Sequence, residues 1–134
     1  MDLKLDGKVA VVTGSTIGIG YAIAERLIEE GVTVIVNGRS ADKVDAACQA
    51  LGPKALPCAA DVATAQGCET LIAAAVAAGG ADILINNAGT GSNETVMDAP
   101  DEKWAFYLDL HLMAAVRLTR GLAPQMEAKG GGVI

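Results

Sequence analysis

Aromatic side chains are nearly missing from this chain: one Trp, one Phe and two Tyr make up 3% of it. That shortage excludes an aromatic core and leaves Val, Ile, Leu and Ala to fill it. Positive charge is also short, with 10 Lys and Arg against 16 Asp and Glu and a net charge of −6. Nothing gathers the basic residues into a stripe, which argues against nucleic acid or an anionic membrane as a bulk partner. There is one His, and the three Cys, Cys48, Cys58 and Cys68, have a spacing that matches no zinc or redox pattern. No metal site is expected, and the thiols should be free. No apolar run reaches the length of a membrane span, and Met1-Asp2-Leu3-Lys4-Leu5-Asp6, of mixed charge, does not resemble a signal peptide. A cytoplasmic protein is expected.

What is abundant is aliphatic. Hydrophobic residues reach 51%, the composition of parallel strands covered by Ala-rich helices, and 134 residues are enough for one domain with a real core. The run Lys8 to Val12 is continuously apolar after its first residue and reads as a strand buried on both faces. From Ile19 to Glu30 the period changes: Ile23, Ala24, Leu27 and Ile28 recur at helical spacing, Glu25, Arg26, Glu29 and Glu30 take the other face, and Gly31 stops the helix. A second strand is expected at Val32 to Val36, then a helix from Ser40, its N-cap, to Leu51 before Gly52-Pro53.

Ala55 to Ala60 reads as a third strand, and Pro57 within it belongs on a sheet edge because it cannot donate to a ladder. Strand order 3-2-1-4 puts it there. Thr64 to Ala78 is a helix closed by Gly79-Gly80, Asp82 to Asn87 a fourth strand, and a long helix starts at Asp98-Ala99-Pro100. Its inner face is expected to be Trp104, Leu108, Leu112, Ala115 and Leu122, with a bend or end near Pro124 before Gly130-Gly131-Gly132, after which Val133-Ile134 begins strand five. Alternating strands and helices predict an α/β fold, a doubly wound, mostly parallel, Rossmann-like sheet ending at the start of strand five. Residues 1–134 are thus read as one dinucleotide-binding domain.

Between the first strand and the first helix stands Thr13-Gly14-Ser15-Thr16-Ile17-Gly18-Ile19-Gly20. A glycine-rich turn there lets backbone approach a pyrophosphate, and the helix start offers unpaired N–H groups and a positive dipole end. The spacing is not the ordinary Gly-x-Gly-x-x-Gly, and there is no Gly-Lys-Ser/Thr, so a P-loop nucleotidase is disfavoured.

With Asp61-Val62 after strand three and Asn86-Asn87-Ala88-Gly89 after strand four, this turn resembles that of the short-chain dehydrogenase/reductase family, in its compact branch. Thr13 to Gly20 matches the family's TGxxxGIG and Asn86 to Gly89 its NNAG, while Asp61-Val62 matches its adenine-contacting pair. The resemblance implies an oxidoreductase that interconverts an alcohol and a carbonyl by hydride transfer, with a small-molecule substrate and a homo-oligomeric state. It implies a cofactor shell of Gly14, Ser15, Thr16, Ile17, Gly18, Ile19, Asp61, Val62, Asn87, Ala88 and Gly89. Asn86 is expected to be structural.

The end of strand two distinguishes the two nicotinamide dinucleotides, since an acid there binds the ribose 2′-OH whereas a 2′-phosphate needs a cation. The chain has Gly38 and then Arg39, whose planar guanidinium suits a phosphate. NADP(H) is expected rather than NAD(H), the competing reading of Arg39 being a solvated loop charge.

The family completes its site with a Ser after strand five and a Tyr-x-x-x-Lys on the next helix, and none of these lies within the 134 residues. Tyr107-x-x-x-His111 imitates the spacing one helix too early and without the Lys; it reads as helix packing. The chain as given is therefore expected to be inactive. The family also places an Asn seven residues after a Trp-like position, holding a water in the proton relay; counting from Trp104 reaches His111. His111 is read either as a relay residue or as a hydrogen-bonded core histidine. The alternative to an enzyme is a non-catalytic nucleotide-binding or interaction module.

Overall fold

In the computed structural model, which describes residues 1–134, four parallel strands stand in the order β3-β2-β1-β4. They are β1 (Val9–Val12), β2 (Thr33–Gly38), β3 (Ala55–Ala59) and β4 (Ile83–Ile85). Pro57 sits on the outermost strand, in register with Val36, as its missing N–H requires. Val133 forms a parallel bridge to Ile83, donating to Asp82 O and accepting from Leu84 N, so a fifth strand does begin where expected.

The helices α1 (Gly18–Glu29), α2 (Ala41–Leu51) and α3 (Ala65–Ala77) cross between the strands. Ser40 caps α2, its hydroxyl accepting from Lys43 N, and Thr64 caps α3 by accepting from Gly67 N at 3.0 Å. Period-two alternation sorts the strand residues into two cores. On one face Val9, Val11, Ile35 and Leu84 pack with Leu71 of α3 and with Leu118 and Leu122 farther along the chain. On the other, Ala10, Val12, Val34, Val36 and Ile83 pack with Ala24 and Val44.

The long helix departs from its expected form. It is α4 (Asp101–Leu108), a π-helical turn (Asp109–Met113) and α5 (Ala114–Ala128). The buried stripe is Ala114, Leu118, Leu122 and Met126, whereas Trp104, Leu108 and Leu112 are each about half exposed and α4 buries no residue. A π-turn widens the helix by one residue and rotates the helix beyond it, so a stripe counted from Trp104 does not carry through. Nor does the helix end at Pro124, which lies inside α5.

Asp82 joins three elements at the amino end of the sheet. Its Oδ2 accepts from Val9 N and from Lys129 Nζ, each at 2.8 Å, and Lys8 Nζ lies 3.9 Å from Oδ1. Burial alone raises its pKa, but the Lys129 and Val9 hydrogen bonds with the two lysine charges outweigh that and hold it below the usual carboxylate value.

Candidate functional site

At the carboxyl end of the sheet a cleft of about 780 Å3 opens over the ends of β1, β2, β3 and β4. It lies where the strand order reverses between β1 and β4, the usual ligand position in open α/β sheets. Gly14, Thr16, Ile17, Arg39, Asp61, Val62, Asn87, Ala88 and Gly89 all line it. Of the expected shell, three residues stand apart. Ser15 is fully buried beneath the turn, its Oγ donating to Val12 O at 2.7 Å and accepting from Asn37 N at 2.9 Å. Gly18 opens α1, and the Ile19 side chain points to solvent at 76% exposure. The Ser15 hydroxyl is thus turned into the fold and not presented to the cleft.

The glycine turn is held from below by polar side chains. Gly14 takes φ +60°, and a Cβ there would lie 3.0 Å from Ala88 Cα, so both conformation and space require glycine. At Gly20 a Cβ would collide with Gly14 O and the Asn87 amide, which is how α1 comes so close to the end of β4. Asn87 Nδ2 donates to Thr13 O and Gly14 O, both at 3.1 Å, while Thr13 Oγ1 accepts from Asn87 N at 3.0 Å and Ala88 N at 2.8 Å. Turn and strand end are therefore one rigid unit. Thr13→Val removes both acceptances from a residue 2% exposed and is expected to cost about 2 kcal/mol, read from the midpoint of chemical unfolding.

Asn86 is the expected structural member of its pair, and the structure reverses this. Its side chain is exposed and makes no hydrogen bond within the chain, whereas Asn87 carries the bonds. Strand alternation explains the exchange, since neighbouring residues leave a strand on opposite sides.

Sequence reasoning also misses Asn37. It is 1% exposed, its Oδ1 accepts from Gly14 N at 3.2 Å, and its Nδ2 donates to Cys58 O at 3.2 Å and Ala60 O at 3.1 Å. One amide thus ties the ends of β1, β2 and β3 together directly below the cleft. A signal exists in the sequence: an Asn inside an apolar strand must find partners when buried. Burial raises the pKa of Cys58 and Cys68, and the Cys68 Sγ lies 3.3 Å from Val62 O, so both behave as packed thiols. No group of His, Cys, Asp and Glu is arranged to hold a metal ion.

The cleft fits a dinucleotide on its own geometry. Ile17, the N-cap of α1, makes no side-chain cap bond, which leaves first-turn N–H groups for a ligand's acceptors. Arg39, Ser40 and Lys43 line the end of the cleft beside Gly38. At the opposite end His111 faces the segment after β4, its Nε2 accepting from Thr90 N at 3.0 Å. His111 is exposed rather than inward-facing or buried in the core as expected, and it does not itself line the cleft; Leu108 and Leu112 beside it are exposed as well.

A parallel sheet in this order, with a glycine turn into α1 and a cleft at the switch point, defines a Rossmann-like nucleotide-binding fold of the dehydrogenase type. Comparison with known proteins narrows that class. The family model described as short chain dehydrogenase matches residues 8–134. The chain belongs to the short-chain dehydrogenase family. An uncharacterized oxidoreductase of Bacillus subtilis, YvaG, is 42% identical over all of this chain and 52% of its own length. Dehydrogenase/reductase SDR family member 4 of Bos taurus is 42% identical over 97% of this chain and 48% of its own. Among solved structures, L-sorbose reductase from Gluconobacter frateurii, complexed with NADPH and L-sorbose, is 51% identical with a TM-score of 0.96, covering 99% of this chain and 53% of that one. A 7α-hydroxysteroid dehydrogenase complexed with NADH is 34% identical with a TM-score of 0.90, covering 98% and 53%. The chain spans about half the length of these relatives. The matches are to oxidoreductases, which does not favour a non-catalytic module.

Proposed function

We propose that residues 1–134 are the cofactor-binding domain of an NADP(H)-dependent oxidoreductase that interconverts an alcohol and a carbonyl in a small molecule. The observation that carries the choice of cofactor is the end of β2, where Gly38 leaves no carboxylate and Arg39, Ser40 and Lys43 line the cleft together. Arg39 and Lys43 supply charge, and Arg39 adds a fork of donors suited to a 2′-phosphate. Asp61 and Val62 take the adenine, the Gly14 to Ile19 turn the pyrophosphate, and Asn87, Ala88 and Gly89 the ribose next to it. The bound cofactor supplies the hydride. The L-sorbose reductase holds NADPH and the hydroxysteroid enzyme NADH, so the relatives carry both cofactors, and the β2 residues of this chain support NADP(H). Calorimetric titration with each cofactor tests this; equal affinities would contradict it.

The Ser, Tyr and Lys that the family uses for proton transfer are not among these residues, so the 134 residues are expected to bind NADPH without oxidising it on a panel of carbonyls. Turnover by this chain alone would overturn that. No helix is long and apolar enough to cross a membrane, and a cytoplasmic location belongs to the same proposal. So does self-association: Trp104, Leu108 and Leu112 form an exposed apolar face, and such faces associate. Sedimentation velocity is expected to show a homo-oligomer, and a monodisperse monomer would count against it.

A further inference from the structure

His111 lies within the π-helical turn, and both of its ring nitrogens face backbone. Nε2 is 3.0 Å from Thr90 N, which can only donate, and Nδ1 is 3.2 Å from Tyr107 O, which can only accept. These two partners allow one arrangement, a neutral imidazole with its proton on Nδ1 and a lone pair on Nε2. The ring also lies close over the chain here, since a Cβ on Gly89 would stand 3.0 Å from Nε2. One turn earlier, Tyr107 is tilted against His111 with ring centroids 5.5 Å apart, and its hydroxyl bonds Ser92 Oγ. The loop after β4 is thus gripped twice by one helix face.

We propose that His111 is a positioning residue, a latch that holds Gly89 and Thr90 as the wall of the cleft only while its imidazole is neutral. Protonation places an N–H on Nε2 opposite the Thr90 N–H, so acceptance turns to repulsion and the Gly89–Thr90 end of the loop is released while Tyr107 keeps its hold on Ser92. The charged groups nearby do not offset this. On α4, Lys103 lies 6.0 Å from the Tyr107 ring centroid and is paired with Glu94 of the loop. On the other side, Asp109 of the π-turn is paired with Arg117 of α5. Neither carboxylate bonds the imidazole, and each is matched by a cation. An Asn at this position would accept from the amide at every pH, so His in its place adds proton sensitivity to the hold.

The latch needs no ligand; its consequence for the cofactor rests on the proposed function. In the 15N-labelled, ligand-free protein, long-range imidazole spectra are expected to show the Nδ1-protonated tautomer whenever the ring is neutral. The Thr90 amide should shift with the same midpoint as the His111 ring, and its protection factor, corrected for the base-catalysed intrinsic rate, should fall roughly five- to tenfold below it. In His111→Asn the Thr90 amide should lose that transition while remaining protected. An Nε2-protonated tautomer, or a Thr90 amide indifferent to the His111 titration, would overturn the latch, and neither result needs a variant to fold. NADH, which carries no 2′-phosphate to titrate, serves as the probe of consequence. Its affinity should fall through that midpoint in the wild type and stay level in His111→Asn. No NADH binding at any pH would count against the proposed function and leave the tautomer result standing.

Discussion

Arg39→Ala is expected to weaken NADPH binding by roughly 10- to 100-fold, the worth of one or two charge-assisted hydrogen bonds to a phosphate, and to change NADH affinity by less than about twofold. The asymmetry is the informative part. If Arg39 were a solvated loop charge that only enriched the cleft in positive potential, both cofactors would lose affinity, NADPH only modestly more for its extra phosphate charge. Arg39→Lys discriminates further: it keeps the charge but loses the fork, so an intermediate loss points to planar recognition of the phosphate. Parallel calorimetric titrations of the three proteins measure all of this, and equal losses for the two cofactors would remove Arg39 from the 2′-phosphate.

Asp82→Ala is expected to destabilise the fold by about 3 kcal/mol, because it leaves the Val9 N–H and the Lys129 ammonium without their shared acceptor. Lys8 contributes little at 3.9 Å and half exposure. Since the folded carboxyl titrates below its ordinary value, its contribution is complete above the unfolded carboxylate value, about 3.9, and is lost as pH falls through the lower, folded one. The wild-type unfolding free energy should therefore drop in acid more steeply than that of Asp82→Asn, which has no carboxylate to protonate. Parallel acid profiles for the two proteins would show that the ion pair contributes nothing.

The sheet is legible in the sequence because its signals are local. Four apolar runs, a Pro that fits only an edge strand and a glycine turn between strand and helix are each readable within a few residues, and together they prescribe the order β3-β2-β1-β4. Most of the site comes with them, because the cleft is made of strand ends and the motifs mark strand ends. What fails is non-local. The face of the long helix, extrapolated from Trp104 at 3.6 residues per turn, is lost because the π-turn at Asp109–Met113 changes that phase without any proline or glycine inside it to announce it. The choice between Asn86 and Asn87 depends on which side of β4 faces the Gly14 turn. For Asn37 the residue is in view, but its partners, Gly14, Cys58 and Ala60, come together only once three strands are assembled. The inward face expected for His111 fails for the same reason as the helix face, since it and its neighbours Leu108 and Leu112 are exposed.

We propose that this cleft holds NADP(H), with the 2′-phosphate at Arg39 and the ribose beside the pyrophosphate at Gly89. Titrating the 15N-labelled protein with NADPH and tracking the backbone amides tests it most directly. Saturable shifts are expected at Gly14, Ile17, Gly18, Arg39, Asp61 and Gly89, with the Arg39 to Lys43 amides responding much less to NADH. Amides of the cleft that stay still at millimolar NADPH, or shifts that do not distinguish the two cofactors, would contradict it.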